Sequence, residues 1–332
     1  MKALEQIIQR SKENPRTVVL AEGQDPRIQQ AAARAVREGI ARIVLLGDAD
    51  ELNAIAAEAQ IDLGGVEIQN PATSDKHDSY AKALFELRKH KGMTPKQADE
   101  QVRNPLCFAN MMVAQGDADG CVNGAVYTTA DVLRSALQVI GVKPSTKLVS
   151  SFFLMMLCEP FHSLKGGLIF SDCALVVDPD AGELAEIAMA AADSARIMLG
   201  EEPRVAMLSF STSGSSKHPL VDKVVAASEQ VKARMPGLAI DGDVQLDAAI
   251  VEQIAGHKVK DSVVKGKSNV LVFPNLEAGN IGYKMAERVG GAVAIGPLLQ
   301  GLAKPANDLS RGCSADDVFN VIAVTVVQAQ NA

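Results

Sequence analysis

Residues 17–23 read TVVLAEG, a run of β-branched and apolar residues that ends in a glycine. Such a run predicts a β-strand. Asp25-Pro26 follows, a pair typical of a helix N-cap and first turn, and apolar residues then recur at helical spacing, at Ile28, Ala31, Ala32, Ala35 and Val36. The same order of strand, loop and helix recurs at 42–59 and 120–140. This alternation predicts an α/β fold with mainly parallel sheets flanked by helices.

The first half of the chain also contains a stretch without a strand. Residues 77–116 predict a pair of helices joined near 92–95, where Gly and Pro interrupt the pattern. A second change of composition comes at 141–146, GVKPST, and predicts a domain boundary. A length of 332 residues, at roughly 150 per domain, agrees with two domains.

Beyond this boundary, close-set apolar runs at 148–157, 166–170 and 174–180 predict buried strands. Helices and strands then alternate again, and a final apolar-faced helix is predicted at 315–328. We expect this helix to pack back on the first domain. The first domain would then comprise 1–143 and 304–332, and the second 144–303.

Charge and composition exclude several classes of function. The chain has 40 acidic and 33 basic residues, a net charge of −7, and only nine Phe, three Tyr and no Trp, so nucleic-acid binding is disfavoured. No apolar run reaches the roughly 20 residues of a membrane span, and the first residues lack the apolar core of an export signal. We therefore expect a cytoplasmic protein that binds neither nucleic acid nor membranes.

Cysteine and histidine spacing gives no sign of a metal site. The cysteines number five, and no two of them are separated by just two residues as in a CxxC motif, so we expect reduced thiols. The five histidines form no HExxH pattern, so we expect no bound metal. The sequence also lacks a Walker loop, and no GxGxxG follows a strand. ATP and NAD are therefore not expected as cofactors.

The richest candidate for chemistry is the segment 296–317, GPLLQGLAKPANDLSRGCSADD. It is punctuated by Gly and Pro and has leucines at 298, 299, 302 and 309, which argue against disorder. A long loop of this kind without regular structure of its own is usually functional. We expect an ordered functional loop between a buried strand and the last helix.

This segment, together with FPNLEAGNIGYK at 273–284, RVAMLSFSTSGSS at 204–216, TTADVLRSALQVIG at 128–141 and SSFFLMM at 150–156, resembles phosphate acetyltransferases of the phosphate acetyl/butyryltransferase family. The resemblance spans essentially the whole chain. It implies a two-domain fold similar to isocitrate and isopropylmalate dehydrogenases, an interdomain active-site cleft and a homodimer. It also implies the reaction acetyl-CoA + phosphate ⇌ acetyl phosphate + CoA, with CoA as a substrate and no cofactor or metal.

The resemblance implies roles for three residues of the 296–317 segment. Arg311 would bind the phosphoryl group, because its guanidinium is always charged and presents several N–H donors in one plane. Alternatively, it pairs with a carboxylate such as Asp308. Ser310 would donate a hydrogen bond to the thioester carbonyl as charge develops on its oxygen; alternatively its hydroxyl stabilises the loop. Asp317 would be the base for the CoA thiol.

The assignment of Asp317 has two alternatives. Ser314 and Asp317 also have the spacing of a helix capping box, and the adjacent Asp316 is a second candidate base. An aspartate of ordinary pKa, ~3.9, is a weak base for a thiol of pKa ~8.5, a mismatch of roughly 6 kcal/mol. Burial that raises the pKa of the carboxyl, or arginines that stabilise the thiolate, would have to reduce this difference in pKa.

Two arginines and a serine-rich loop complete the implied site. Arg88 and Arg134 would bind substrate. The alternative for both is a position on a solvated helix face with a nearby acidic partner. Arg134, which is flanked by Leu133, is expected to be half-buried. Residues 211–216 follow a strand and precede a helix, so Ser213, Gly214 and Ser215 would hold an anion through backbone N–H groups and serine hydroxyls; the alternative is an ordinary turn.

The sequence also bears on the mechanism and its rivals. Cys158 and Cys313 could carry an acyl group, but no adjacent histidine activates them. We therefore expect direct attack of the CoA thiolate on acetyl phosphate in a ternary complex. The alternatives are a butyryl- or propionyltransferase, a non-catalytic ligand-sensing domain, and a dehydrogenase of related fold, which the missing nucleotide loop disfavours.

Overall fold

The computed structural model describes residues 2–144, 146–162 and 166–332. The chain forms two compact units. The terminal unit, as we call it, consists of Leu4–Lys143 and Leu302–Ala332, and the central unit is built on Pro144–Gly301. No helix among the described residues is long and apolar enough to cross a lipid bilayer.

The terminal unit is built on a parallel sheet of five strands in the order β11-β4-β1-β2-β3. The strands are β1 (Arg16–Leu20), β2 (Ala41–Leu46), β3 (Glu67–Gln69), β4 (Gly120–Asn123) and β11 (Ala306–Asp308). Its helices, numbered in chain order, are α1 (Lys2–Glu13), α2 (Pro26–Arg37), α3 (Ala49–Glu58), α4 (His77–Arg88), α5 (Pro95–Val102), α6 (Pro105–Gln115), α7 (Thr129–Val139) and α13 (Ala315–Ala329), with a 3-10 turn at Lys89–Lys91.

The first strand and helix form for the reasons visible in the sequence. Val18, Val19 and Leu20 are fully buried in the centre of the sheet. The Asp25 carboxylate accepts the N–H of Arg27 at the start of α2, and Pro26 occupies the first helical turn. The predicted α/β fold is confirmed.

The central unit contains a mixed sheet of six strands in the order β10-β5-β6-β9-β7-β8. The strands are β5 (Ser150–Leu157), β6 (Gly166–Ser171), β7 (Arg204–Leu208), β8 (Ala239–Val244), β9 (Val270–Val272) and β10 (Val293–Gln300). Strand β5 is antiparallel to β6 and β10, and the other pairs are parallel. The helices are α8 (Ala181–Leu199), α9 (Pro219–Arg234), α10 (Leu246–Ile250), α11 (Glu252–Lys258) and α12 (Leu276–Arg288).

Three sequence-based expectations about elements are wrong. Residues 77–116 form three helices rather than two, because Asn104 caps α6 and Pro105 begins it. The apolar run 174–180 is not a strand: the Asp172 carboxylate accepts the backbone N–H groups of Ala174, Leu175 and Val176. Finally, 296–317 is not one irregular loop, since it contains the end of β10 and the whole of β11.

Candidate active site

Three neighbouring strands of the terminal unit, β1, β4 and β11, end at the same edge of the parallel sheet. Ligands of open parallel sheets bind beyond these carboxyl ends. The segments that follow the strands are 21–25, 124–128 and 309–314. The third contains Ser310 and Arg311, so β11 carries two of the predicted catalytic residues to this edge.

A buried carboxylate organises the segment after β4. Glu22, which is 4% exposed, accepts the backbone N–H groups of four consecutive residues, 124–127, at distances of 2.8–3.1 Å. Such a row of N–H groups is an anion-binding arrangement, and here the anion belongs to the protein. Glu22 therefore holds the backbone that leads into α7.

Arg27 connects all three segments. Its guanidinium donates to the Asp25 carboxylate at 2.7 Å and to the Ala125 carbonyl at 3.0 Å. It also donates to the carbonyls of Arg311 at 2.8 Å and Cys313 at 2.9 Å. The hydrogen bond from Arg27 lowers the pKa of Asp25 and raises that of Arg27, so the pair stays ionised. Arg27 thus holds the 310–313 turn against the rest of the site.

Ser310 and Arg311 are both exposed on this turn. The Ser310 hydroxyl oxygen accepts the Gly312 N–H at 3.3 Å, and its O–H remains able to donate. The Arg311 guanidinium forms no hydrogen bond or ion pair with the described residues. Asp308, proposed above as an alternative partner, is fully buried and bonds Thr129 instead. The turn therefore offers a charged donor and a hydroxyl to a ligand.

The two candidate bases differ in their contacts. Asp316 is 81% exposed and forms an ion pair with Arg34 at 2.6 Å. Asp317 forms the capping box of α13: its Oδ2 accepts both the N–H and the hydroxyl of Ser314 at 2.8 Å. The Oδ1 atom of Asp317 accepts no hydrogen bond within the described ranges. The capping box is therefore present, and it leaves one carboxylate oxygen of Asp317 without a hydrogen bond among the described residues.

Arg88 and Arg134 line one cavity of about 810 Å³ in the terminal unit, together with Lys91 and Tyr127. Arg88 is half-buried and makes no ion pair in the part of the chain that the structure describes. Arg134 is 62% exposed and pairs with Asp131 at 2.8 Å. The expectation that Arg134 is half-buried is therefore wrong, because its position on α7 faces outward beside an acidic partner one turn earlier.

The comparisons with known proteins agree with one another. The family model described as "Phosphate acetyl/butaryl transferase" matches residues 2–326. The chain belongs to this family. A phosphate acetyltransferase of Acetivibrio thermocellus is 50% identical over 332 residues, which is 99% of both chains. A crystal structure of a phosphotransacetylase from Streptococcus pyogenes superimposes with a TM-score of 0.93 at 41% identity, covering 100% of this chain and 99% of that one.

A second solved structure, the EutD phosphotransacetylase from Staphylococcus aureus, has a TM-score of 0.91 at 40% identity, with 99% of this chain and 98% of that one covered. Both structures confirm the fold predicted for this member of the phosphate acetyl/butaryl transferase family.

The 211–216 loop of this transferase lies in the central unit, between β7 and α9. Its six backbone N–H groups already have acceptors within the protein, among them the backbone oxygen of Asp243 for Ser213 and the Asp243 carboxylate for Gly214. The N–H groups on which the anion-site expectation rests are therefore occupied by an internal carboxylate and by neighbouring oxygens. The Ser213 hydroxyl remains exposed.

The thiol of this transferase closest in sequence to Ser310 and Arg311 is buried. Cys313 is 7% exposed, and burial raises its pKa to about 11, although the positive charge of Arg27 lowers it. Burial likewise raises the pKa of Cys107 and Cys121 to about 12. These thiols are protonated at neutral pH, which makes them poor acyl acceptors.

His77, Asp78 and Asp99 bring one potential metal-ligating atom each within 4.8 Å of one another. The sequence spacing gave no sign of this group. The His77 Nε2 atom is 2.9 Å from one Asp99 carboxylate oxygen, and the other Asp99 oxygen accepts a hydrogen bond from Arg103 at 3.2 Å. The absence of a metal from the reaction stays a prediction.

Proposed function

We propose that this protein is a phosphate acetyltransferase that catalyses acetyl-CoA + phosphate ⇌ acetyl phosphate + CoA. Family membership supports the reaction, and the exposed Ser310-Arg311 turn at the end of β11 is the structural observation that carries it. Arg311 would bind the phosphoryl group as a charge-assisted donor, and the Ser310 O–H would stabilise the developing oxyanion.

In the proposed mechanism no acyl-enzyme forms. The CoA thiol gives its proton to Asp317, and the thiolate sulfur attacks the acetyl carbon of acetyl phosphate. The C–S bond forms as the C–O bond to the phosphoryl group breaks, and phosphate leaves on Arg311. The raised pKa of the Cys313 thiol supports this direct route. We propose that no cofactor or metal takes part.

The cavity with Arg88, Lys91 and Arg134 is our proposed site for CoA, because these three cations outnumber the two carboxylates of its lining, Glu100 and Asp131, and so favour the phosphates of CoA. Anion binding by the hydroxyls of Ser213 and Ser215 also stays part of the proposal. We further propose that the protein acts in the cytoplasm, in acetate metabolism, and as a homodimer. Three apolar side chains, Ile281 and Met285 on α12 and Val289 directly after it, are 58%, 58% and 82% exposed and support a homodimer.

The test is thioester formation from CoA and acetyl phosphate in the presence of a metal chelator and without NAD. We expect turnover with acetyl phosphate, and lower rates with propionyl and butyryl phosphate. Arg311→Gln and Ser310→Ala should each reduce kcat/KM for acetyl phosphate about 100-fold. Arg37→Gln, which changes an exposed arginine of α2 with no ion pair in the described chain, is the matched control. Absence of thioester formation by the unmodified protein would refute the proposal.

A further inference from the structure

Asp308 is an acidic residue in an unusual position. It is the last residue of β11, it is 0% exposed, and it lies two residues before Ser310. Its Oδ2 accepts a hydrogen bond from the Thr129 hydroxyl at 2.7 Å, whereas its Oδ1 is buried without a well-aligned hydrogen bond in the described structure. The backbone N–H of Leu309 is the donor that, beside Thr129, lowers the pKa of the carboxyl. The carboxylate is therefore desolvated and only half satisfied.

The surrounding backbone leaves room for this carboxylate. Gly124, directly after β4, has φ +112°, and a Cβ atom there would lie 2.2 Å from Asp308 Oδ1. Thr129 is the first residue of α7, the helix that also carries Arg134. The Thr129–Asp308 hydrogen bond thus joins the strand that leads into the proposed catalytic turn to the helix that lines the proposed CoA cavity.

A neutral amide would make the same contact at lower cost. Asparagine is the same size as aspartate and its oxygen could accept from Thr129, without the penalty of burying a charge. What a carboxylate adds is a charge-assisted hydrogen bond, which is shorter and roughly twice as strong as a neutral one. An acid at a buried position where its charge destabilises the fold points to a functional role.

We infer that Asp308 is a positioning residue of the transferase, whose ionised carboxylate acts through Thr129 to fix the Ser310-Arg311 turn relative to α7. The inference rests on the proposed function. Asp308 itself is fully buried, so it acts on the substrates only through the turn and the helix that it joins.

Burial raises the pKa of Asp308 to about 6, against the lowering effect of the Thr129 hydrogen bond, and the negative charge of Glu22 raises it further. The titratable side chains on the elements packed against β11 are Cys121 on β4, Asp131 and Arg134 on α7, and Asp316 and Asp317 on α13. The raised pKa of Cys121 and the lowered pKa of Asp131 keep both from changing charge near pH 6. Protonation of Asp308 weakens its bond to Thr129, so activity should fall as the pH drops through about 6.

The first experiment measures kcat and KM for CoA from pH 5 to pH 8. For the unmodified protein we expect kcat to fall below about pH 6. Asp308→Asn should reduce kcat at pH 8 about tenfold, change KM less than about twofold, and remove the fall near pH 6. Thr129→Val should likewise reduce kcat at pH 8 and remove the fall near pH 6, because the hydrogen bond through which Asp308 acts is lost, and Thr129→Ser should restore the unmodified profile.

The second experiment measures thermal unfolding at pH 5 and pH 8. A carboxyl whose pKa is raised in the folded state destabilises the fold fully above that pKa, and this penalty declines as the pH falls toward the unfolded-state pKa of about 4. The difference in melting temperature, Asp308→Asn minus unmodified protein, should therefore be larger at pH 8 than at pH 5. The matched control is Thr325→Val, because the buried Thr325 hydroxyl is hydrogen-bonded to Asn307, the neighbour of Asp308 in β11. It should lower the melting temperature and leave the pH profile unchanged.

An Asp308→Asn protein with the kcat and pH profile of the unmodified chain would overturn the inference, and so would Thr129→Val with an unchanged profile. If Asp308→Asn fails to fold, the comparison of Thr129→Val with Thr129→Ser tests the inference instead. If the unmodified protein lacks transferase activity, the proposed function is refuted. If the unmodified protein is active and the variants behave like it, only the inference about Asp308 is refuted.

Discussion

Asp316 and Asp317 are adjacent in the sequence, but the start of α13 gives them different contacts. Asp316 points to solvent and pairs with Arg34, whereas Asp317 receives two hydrogen bonds from Ser314 and keeps Oδ1 available. An asparagine at 317 can still accept both bonds from Ser314, so this substitution removes the proposed base and retains the helix cap.

We therefore expect Asp317→Asn to lower kcat about 100-fold with little change in melting temperature. Asp316→Asn should leave kcat within about twofold, because it removes only an exposed ion pair of small energetic value. The measurement is kcat at saturating CoA and acetyl phosphate, with circular dichroism to confirm folding. Full activity of Asp317→Asn across the pH range would remove Asp317 from the mechanism.

At the level of single residues, the sequence predicts exposed residues of the 310–313 turn as substrate-binding groups, but it does not predict the residues that hold this turn in place. Ser310 and Arg311 belong to a recognisable segment, whereas Arg27 contacts Arg311 across 284 positions of the chain. Nothing local to Arg27 or Glu22 indicates that they hold other backbone segments. Asp308 was considered only as a surface partner for Arg311, because its burial depends on β11 lying against β4.

At the level of elements, patterns with a strong local signal were predicted well. Helix α8 carries such a signal, because a capping box at Asp180 begins it and Gly200 ends it. Strand β11 was missed because it has three residues, two of them polar, and becomes a strand only by pairing with β4. The run 174–180 is apolar like a strand but does not form one, because the Asp172 carboxylate, rather than a neighbouring strand, accepts the backbone N–H groups of residues 174–176.

The junction between β4 and β11 leads to a prediction about Gly124. A Cβ atom at this position would lie 2.2 Å from Asp308 Oδ1 and 2.7 Å from the Leu309 backbone nitrogen, at a positive φ. We expect Gly124→Ala to lower the free energy of unfolding by about 3 kcal/mol through steric overlap and backbone strain. Urea denaturation measures this, and Gly237→Ala, whose Cβ would meet nothing within 4 Å, should change it by less than about 0.5 kcal/mol. Equal stability of the two variants would contradict the packing described for Asp308.

At the level of the whole molecule, the exposed face of α12 bears on the proposed homodimer. Ile281, Met285 and Val289 are four residues apart and therefore lie on one side of the helix. Glu277 lies in the first turn of α12 and Arg288 in the last. If two copies pair these helices antiparallel about a twofold axis, each Glu277 approaches the other copy's Arg288 and the apolar faces cover one another. A second copy of this chain is thus the occupant that the charges favour.

Replacing this apolar face should separate the two copies. The double substitution Ile281→Glu and Met285→Glu places like charges opposite each other across the twofold axis, so we expect the mass measured by light scattering to fall by about half. Val263→Glu is the control, because Val263 is 59% exposed and lies outside α12, and it should leave the mass unchanged. A double variant that keeps the mass of a dimer would place the interface elsewhere, whereas a monomeric unmodified protein would refute the dimer. Because the face belongs to the central unit and the Ser310-Arg311 turn to the terminal unit, the separated protein also tests whether turnover depends on pairing.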